Sequence, residues 1–258
     1  MTIRKISSLA TLALAPIWLP FQLARYRGHF SDSATRATEL LLREAPLRSF
    51  AEGAGISVVN PFDRFPGLDQ ETVQLVPGHW SSSHEQIEYP LLSAICSLLV
   101  PRRIFEFGTY LGEATLMFAK ASPAAEIVTL NIPENEFPVL GISEIQKTEL
   151  LANSQIGKLF RGTFENHRIE QIFCDSANFD VSPHCDKYDF IWVDAGHSYE
   201  NVRMDSLNAL KMIREGGSVF WHDFDASQAG VTRALLEIAK DHNLFWIEKT
   251  SIVGFEKH

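Results

Sequence analysis

The sequence predicts an α/β fold, an open Rossmann-like sheet of seven mostly parallel strands with helices on both faces. Apolar segments of strand and helix character alternate regularly from residue 101 to the end of the chain. The first predicted strand is followed by a glycine turn and an apolar helix, all within residues 103–121. Four predicted strands stop at a polar side chain, which is typical of the sheet edge where such folds bind ligands.

The elements of the sheet are placed by their apolar periodicity and by the turn residues between them. A helix with apolar residues at helical spacing is predicted over residues 85–99. Ser198 offers an N-cap for a later helix, which Gly216 and Gly217 are predicted to end. A last helix is predicted over residues 231–240. The predicted strands are 104–107, 126–130, 169–174, 188–193, 218–221, 243–247 and 251–255.

We divide the chain into a helical and irregular appendage, residues 1–82, and a Rossmann-like domain, residues 83–258. Residues 31–50 have a helical pattern and residues 52–82 are rich in glycine and proline, so we expect a lid or a subunit contact here. Residues 1–27 are basic and apolar, but the apolar run is too short to span a bilayer. We expect this segment to pack on the domain or on a partner subunit. Peripheral membrane contact and a secretion signal are the alternatives.

Composition excludes several classes of protein. With 258 residues and 45% hydrophobic content, the chain is a globular protein that can bury one large core. Its formal net charge of -9 argues against nucleic acid as a partner, since phosphate binding needs a basic surface. Cys96, Cys174 and Cys185 have no metal-binding or disulfide spacing, which favours a reducing, cytoplasmic location.

The turn after the first predicted strand indicates which cofactor binds. Its pattern is Glu106-x-Gly108-x-x-x-Gly112, which is neither the Gly-x-Gly-x-x-Gly pattern of dinucleotide-binding folds nor a nucleoside triphosphate loop. A carboxylate at the strand tip would repel phosphates and attract a cofactor that carries a sulfonium and an ammonium group. These features predict S-adenosylmethionine, bound by Glu106, Gly108, Thr109, Tyr110 and Gly112.

Polar residues at the ends of the following strands complete the predicted cofactor site. Asn131 follows the glycine turn at about twenty residues, the spacing at which dinucleotide-binding folds hold ribose hydroxyls. Asp175 and Ser176 are placed to meet the adenine ring, where Asp175 can accept a hydrogen bond from the exocyclic amine. Asp194 ends the next strand at the same edge of the sheet.

A second group of motifs lies in the last third of the chain. Residues 189–200 read Asp-Phe-Ile-Trp-Val-Asp-Ala-Gly-His-Ser-Tyr-Glu, and Gly216-Gly217 and Trp221-His222-Asp223 follow. Together with residues 106–115 and 230–235, these motifs resemble the class I S-adenosylmethionine-dependent methyltransferases. They look most like the branch that includes macrocin-type sugar O-methyltransferases and cephalosporin-hydroxylase-like proteins.

The resemblance covers about residues 83–256 and has one departure. That family usually has an acidic residue at the ribose position, where this chain has Asn131. An amide can still bond both ribose hydroxyls but loses the charge assistance of a carboxylate.

Asp194, His197 and Asp223 are the residues to which we assign the chemistry. Methyl transfer to a hydroxyl requires that the acceptor is aligned and loses its proton, and His197 is the candidate general base. Asp194 and Asp223 end strands that we expect to be neighbours, so their carboxylates can share a divalent cation, as is frequent in the branch that the chain resembles. His222 joins them only if the strand bends, because successive strand residues face opposite sides. With His222 as a ligand, manganese or iron becomes as suitable as magnesium.

The leading hypothesis is an O-methyltransferase that acts on a small hydroxylated molecule, such as a sugar or a natural product. Two other functions stay open on the sequence. A nicotinamide-dependent oxidoreductase is disfavoured by the missing third glycine and by Glu106. A non-catalytic nucleoside-binding module of the same fold is kept open by Asn131. A homo-oligomer is compatible with all three.

Overall fold

The computed structural model describes residues 21–22, 47–76, 85–133 and 156–258. The predictions for residues 1–20 and for most of the helical pattern at 31–50 lie outside these ranges, although residues 47–53 are helical. The predicted domain boundary near residue 82 also lies outside them and stays a prediction. None of the described helices combines the length with the apolar composition that a membrane span requires.

The main sheet has eight strands in the part of the chain that the structure describes. In chain order the described strands are β1 (Phe21–Gln22), β2 (Ser57–Val59), β3 (Thr72–Val73), β4 (Arg103–Phe107), β5 (Glu126–Asn131), β6 (Ile169–Phe173), β7 (Tyr188–Val193), β8 (Ile213–Trp221), β9 (Phe245–Ile247) and β10 (Val253–Glu256). The order across the main sheet is β2-β9-β10-β8-β7-β4-β5-β6, while β1 pairs with β3 separately. Only β10 is antiparallel to its neighbours in this sheet, so the predicted mostly parallel α/β fold is confirmed.

The helices separate the strands as the sequence predicts. They are α1 (Pro61–Arg64), α2 (Glu85–Leu99), α3 (Glu113–Ala121), α4 (Tyr199–Met212) and α5 (Ala229–Ile238), with 3-10 turns at Leu68–Gln70, Phe164–Arg168, Ser176–Asn178 and Ser182–His184. The bounds of α2 agree with the prediction. The predicted N-cap of α4 is also confirmed, because the Ser198 side chain accepts a hydrogen bond from the Asn201 amide.

The C-terminal end of α4 differs from the prediction. The sequence predicts that Gly216 and Gly217 end this helix, but α4 ends at Met212 and β8 begins at the next residue. The glycines lie inside the strand, where the Gly216 amide donates to the Lys257 carbonyl at 2.8 Å. The pairing of β7 with β8 shifts register nearby, so the glycine pair marks a strand irregularity rather than a helix cap.

Strand β2 was not expected in the sheet, because the sequence analysis assigns residues 1–82 to an appendage. Ser57, Val58 and Val59 pair in parallel with β9 at the edge of the main sheet. The three residues of β2 lie just before α1. A run of three residues is too short for its periodicity to predict a strand. Part of the segment before residue 82 therefore belongs structurally to the sheet.

The core lies on both faces of the sheet, which explains why the central strands are apolar throughout. On one face, α2 and α3 pack over Phe190, Trp192 and Phe220. On the other face, α4 and α5 pack over residues that include Phe105 and Trp221. Both layers leave the carboxyl ends of β4, β7 and β8 at one edge of the fold.

Arg168 fixes the C-terminal end of α3, the helix that follows the glycine turn. Its guanidinium donates to the Ala125 carbonyl at 2.6 Å, to the Ala119 carbonyl at 2.8 Å and to the Ser122 carbonyl at 3.4 Å. A cation at this end also interacts favourably with the helix dipole.

We expect Arg168→Ala to lower the free energy of unfolding by about 2 kcal/mol, because buried carbonyl groups lose a charged donor. Urea denaturation measures this loss. Arg161→Ala is the matched control. Within the described ranges, exposed Arg161 bonds only the Gln171 side chain, so its replacement is expected to cost less than about 0.5 kcal/mol. Equal losses in the two variants would contradict the anchoring role of Arg168.

Candidate active site

Gly108 brings the end of β4 into direct contact with the end of β7. Its φ of 97° lies in the left-handed region that favours glycine, and its amide donates to the Leu130 carbonyl at 2.8 Å. A Cβ atom at this position would overlap the backbone of Asp194 and Ala195. The glycine turn and the Asp194 strand end are therefore adjacent only because residue 108 has no side chain.

We expect Gly108→Ala to destabilise the protein by about 3 kcal/mol, since backbone strain and overlap with Asp194 act together. Gly162→Ala is the matched control. Gly162 also has a positive φ, of 75°, but no described atom lies within 4 Å of a Cβ built there. The free energy of unfolding of Gly162→Ala is expected to fall only by the cost of the backbone conformation, about 1 kcal/mol. Thermal denaturation of both variants tests this difference, and equal shifts would refute the close contact.

Glu106 lies beneath the turn rather than on its rim. Its side chain is completely buried, and its Oε2 accepts hydrogen bonds from the Thr115 hydroxyl and, at 2.5 Å, from the Thr129 hydroxyl. Burial raises the pKa of this carboxyl to about 8, with a further contribution from the charge of Asp194 and in spite of the two hydroxyl donors. At neutral pH the unliganded group is mainly protonated, which corrects the expectation of a charged rim.

One atom of Glu106 fits the predicted cationic cofactor. Its Oε1 is buried and has no hydrogen-bond partner among the described residues. A buried acceptor without a donor costs about 1–3 kcal/mol, so a bound ammonium group would satisfy it and favour the ionised carboxylate. Contact between Glu106 and a cofactor stays a prediction.

Asn131 supports the turn from the end of β5. Its Oδ1 accepts hydrogen bonds from the Thr109 and Tyr110 amides at 3.1 and 3.2 Å, and its Nδ2 donates to the Ile132 carbonyl at 2.8 Å. A carboxylate in this place would lack the donor for Ile132. The departure from an acidic residue is thus explained by local structure, while the binding of ribose hydroxyls stays a prediction.

Asp175 and Ser176 form the corresponding structure after β6. Asp175 caps a 3-10 turn, since its side chain accepts from the Ala177 amide at 3.0 Å. Asp205 of α4 lies near Ser176 and is a residue that the sequence analysis missed. Burial, together with the charge of Asp175, raises the pKa of Asp205 to about 7, although the nearby Ser176 hydroxyl opposes this. Adenine recognition by Asp175 and Ser176 stays a prediction.

Asp194, His197 and Asp223 converge at the ends of β7 and β8. Ligand atoms of the three side chains lie within 4.8 Å of one another. His197 Nε2 is 3.0 Å from Asp223 Oδ2, and this hydrogen bond raises the pKa of His197. Burial opposes ionisation of Asp223, but the His197 bond and the two nearby imidazole charges lower its pKa. We call these three residues the acidic cluster.

The strand bends after Trp221, which is the condition that the sequence analysis sets for His222 to join the cluster. Asp223 has a φ of 61°, and its amide donates to the Ser251 hydroxyl at 3.2 Å. His222 Nδ1 consequently lies 3.3 Å from Asp194 Oδ1 and 3.5 Å from Asp223 Oδ1. The predicted ligand set was Asp194, Asp223 and His222, whereas the compact group in the structure contains His197 with the two aspartates.

Glu88 of α2 is a buried site residue that the sequence analysis missed. Its Oε2 accepts a hydrogen bond from His222 Nε2 at 2.9 Å, and its Oε1 accepts from the Ser251 amide. Burial alone would raise the pKa of Glu88, but the bonds and the charge of His222 outweigh it and lower the pKa. A sequence signal exists, because Glu88 precedes Leu91 and Leu92 at helical spacing and so lies on the apolar stripe of α2.

Comparison with known proteins agrees with this geometry. Residues 105–224 match a family model described as a methyltransferase domain, and the match includes both the glycine turn and the acidic cluster. No protein of curated function matches the chain in sequence. The match over residues 105–224 confirms the resemblance to a methyltransferase domain over that stretch, while a place in the macrocin-type branch stays a prediction.

Several solved structures are similar at low identity. The O-methyltransferase TomG from Streptomyces achromogenes, involved in tomaymycin synthesis and in complex with SAM, is 17% identical with a TM-score of 0.45, covering 85% of this chain and 99% of that chain. The Bacillus cereus O-methyltransferase in complex with SAH is 16% identical with a TM-score of 0.45, covering 91% and 97%. The SAH-bound methyltransferase PaMTH1 from Podospora anserina is 15% identical with a TM-score of 0.48, covering 93% and 98%. The strand order above, rather than these scores, supports the fold assignment.

Proposed function

We propose that this protein transfers a methyl group from S-adenosylmethionine to a hydroxyl group of a small molecule. The observation that carries the proposal is the position of the acidic cluster directly beside the Gly108 turn. A donor bound over the turn would place its methyl group near side chains that can remove a proton from an acceptor.

The turn supports a sulfonium donor better than a dinucleotide. Glu106 offers a buried oxygen that has no donor among the described residues, and the Asn131 side chain fixes the turn by accepting from the Thr109 and Tyr110 amides. A pyrophosphate would instead approach the Asp194 carboxylate and could not donate a hydrogen bond to the buried Glu106 oxygen. These features count against the nicotinamide-dependent oxidoreductase.

Proton removal is assigned to the pair of His197 and Asp223. Displacement at a sulfonium is a single step, so the acceptor oxygen must be aligned and must lose its proton as the bond forms. Asp223 holds the imidazole and stabilises its protonated form, which is the function of a carboxylate beside a general base. The half-buried His197 side chain, 35% exposed, remains reachable for an acceptor.

A divalent cation is the second element of the proposal. Two carboxylates and an imidazole suit Mn²⁺, Fe²⁺ or Mg²⁺, so Asp194 and Asp223 would hold the ion together with His222 or His197. When bound, the ion would lower the pKa of the acceptor hydroxyl. His197 can act as the base only where it is not a ligand, because one lone pair cannot serve both purposes.

The proposed acceptor is a sugar or another small natural product, in line with the branch that the motifs resemble. A net charge of -9 disfavours nucleic acid. We also propose a cytoplasmic location, and we leave a homo-oligomer as a prediction.

The test uses donor with a labelled methyl group and a panel of hydroxylated small molecules, including sugars and phenols. We expect transfer to at least one of them, a loss of transfer with EDTA, and recovery with Mn²⁺ or Mg²⁺. Full activity in EDTA would remove the cation from the proposal. Donor binding without transfer to any acceptor would favour a binding module.

A further inference from the structure

We propose that Glu88 is a positioning residue of the cation site, which turns His222 Nδ1 towards Asp194 and Asp223 and so makes the site prefer Mn²⁺ to Mg²⁺. This inference rests on the cation in the proposed function and names how α2 contributes to it.

The first contact of Glu88 fixes the imidazole ring. Because His222 Nε2 donates to Glu88 at 2.9 Å, the other ring nitrogen, Nδ1, is left to face Asp194 at 3.3 Å. Metal-binding histidines commonly donate their second ring nitrogen to a carboxylate, which sets both the tautomer and the ring orientation. The contacts of His222 have this arrangement.

The second contact of Glu88 fixes the neighbouring loop. Its Oε1 accepts from the Ser251 amide, and the Ser251 hydroxyl accepts from the Asp223 amide at 3.2 Å. Asp223 needs such support because its backbone has a positive φ of 61°, which a residue with a side chain rarely adopts. One buried carboxylate therefore holds His222 directly and Asp223 through Ser251.

The burial of Glu88 argues that this arrangement is specific. Only 2% of the residue is exposed, and a carboxylate is almost never so enclosed unless it is paired. The side chain reaches residues 134 and 163 positions away in sequence, His222 and Ser251. A purely structural contact at this place could have been formed by an apolar side chain at lower cost.

The chemistry of the donors leads to the metal preference. Mg²⁺ takes oxygen ligands and retains several waters, whereas Mn²⁺ and Fe²⁺ also bind imidazole. An imidazole nitrogen held between two carboxylates therefore adds affinity for Mn²⁺ and little for Mg²⁺.

Calorimetric titration of Mn²⁺ and Mg²⁺ into wild type, Glu88→Gln and Glu71→Gln tests the proposal. Glu71 is the matched control, because it accepts from Ser97 near the other end of α2 at 2.6 Å and lies away from the cluster. We expect wild type to bind Mn²⁺ more tightly than Mg²⁺. Glu88→Gln should weaken Mn²⁺ binding about 10- to 100-fold, with a much smaller change for Mg²⁺. Glu71→Gln should change neither.

Unchanged Mn²⁺ affinity in Glu88→Gln, or equal losses for both ions, would overturn the positioning role. If the wild type binds neither ion, both the positioning role of Glu88 and the cation in the proposed function are refuted. Binding of S-adenosylhomocysteine in the same samples tests the methyltransferase assignment separately.

If Glu88→Gln does not fold, electron spin echo envelope modulation of Mn²⁺-loaded His197→Asn replaces the titration of that variant. A coordinated nitrogen is expected from His222, and no nitrogen signal would refute the proposal.

Discussion

Asp194→Asn is expected to reduce methyl transfer by about 10²- to 10⁴-fold while the donor still binds. Asp194 contributes its carboxylate to the acidic cluster, and its Oδ1 lies 3.3 Å from His222. The asparagine side chain has nearly the same shape as aspartate but no charge. Neither the proton taken from the acceptor nor the bound cation would then have a carboxylate partner at residue 194. The backbone of residue 194, which contacts Gly108, is unaffected. The labelled methyl assay measures turnover, and calorimetry with S-adenosylhomocysteine measures binding.

Asp186→Asn is the control for this prediction. Asp186 lies just before β7, at the opposite end from Asp194, and its exposed side chain pairs with Lys257 at 2.7 Å. We expect wild-type turnover from this variant. Wild-type turnover from Asp194→Asn as well would show that the carboxylate takes no part in the chemistry.

Glu106→Gln is expected to remove the contribution of residue 106 to the pH dependence of stability between about pH 5 and pH 8. The folded-state pKa of about 8 lies above the usual value of 4.5, so the protonated carboxyl stabilises the fold. That contribution is complete below pH 4.5 and is lost as the pH rises towards 8. At about 1.4 kcal/mol per pH unit, the loss is at most about 4 kcal/mol between pH 5 and pH 8.

Glutamine can accept the Thr115 and Thr129 hydrogen bonds but does not ionise. We therefore expect similar stability of variant and wild type at pH 5, and a more stable variant at pH 8, by urea denaturation. Exposed Glu126, which pairs with Arg103 at 3.6 Å, provides the control Glu126→Gln with little change at either pH. The same slope in Glu106→Gln and wild type would mean that the buried carboxyl does not titrate in this range. The variant is also expected to bind the donor more weakly, since an amide lacks the charge that an ammonium group requires.

The features that the sequence predicted correctly are those with local signals. Gly108 follows an apolar strand at a fixed spacing, and Ser198 precedes a helix as a capping residue. Asp194 ends a strand, and the strand order brings it to the same edge as Asp223. Features of this kind depend on residues that are neighbours in the chain, so they can be predicted from apolar periodicity and from turn residues.

The features that the sequence missed depend on contacts between distant segments. Glu88 meets His222 across 134 positions, and only its place on an apolar stripe hinted at a buried partner. The burial of Glu106 follows from the packing of Thr115 and Thr129 around it, which a strand-end position does not show. The bend at Asp223 requires a positive φ, and no glycine stands at this position from which the bend could be predicted.

Calorimetry of the wild-type protein with S-adenosylmethionine and with NAD⁺ tests the central claim most directly. The buried Glu106 oxygen accepts no hydrogen bond in the described part of the chain, and Asp194 lies beside it. These two features predict that the sulfonium compound binds and that NAD⁺ does not. Binding of NAD⁺ or another phosphorylated nucleotide, with no heat from S-adenosylmethionine, would contradict the account.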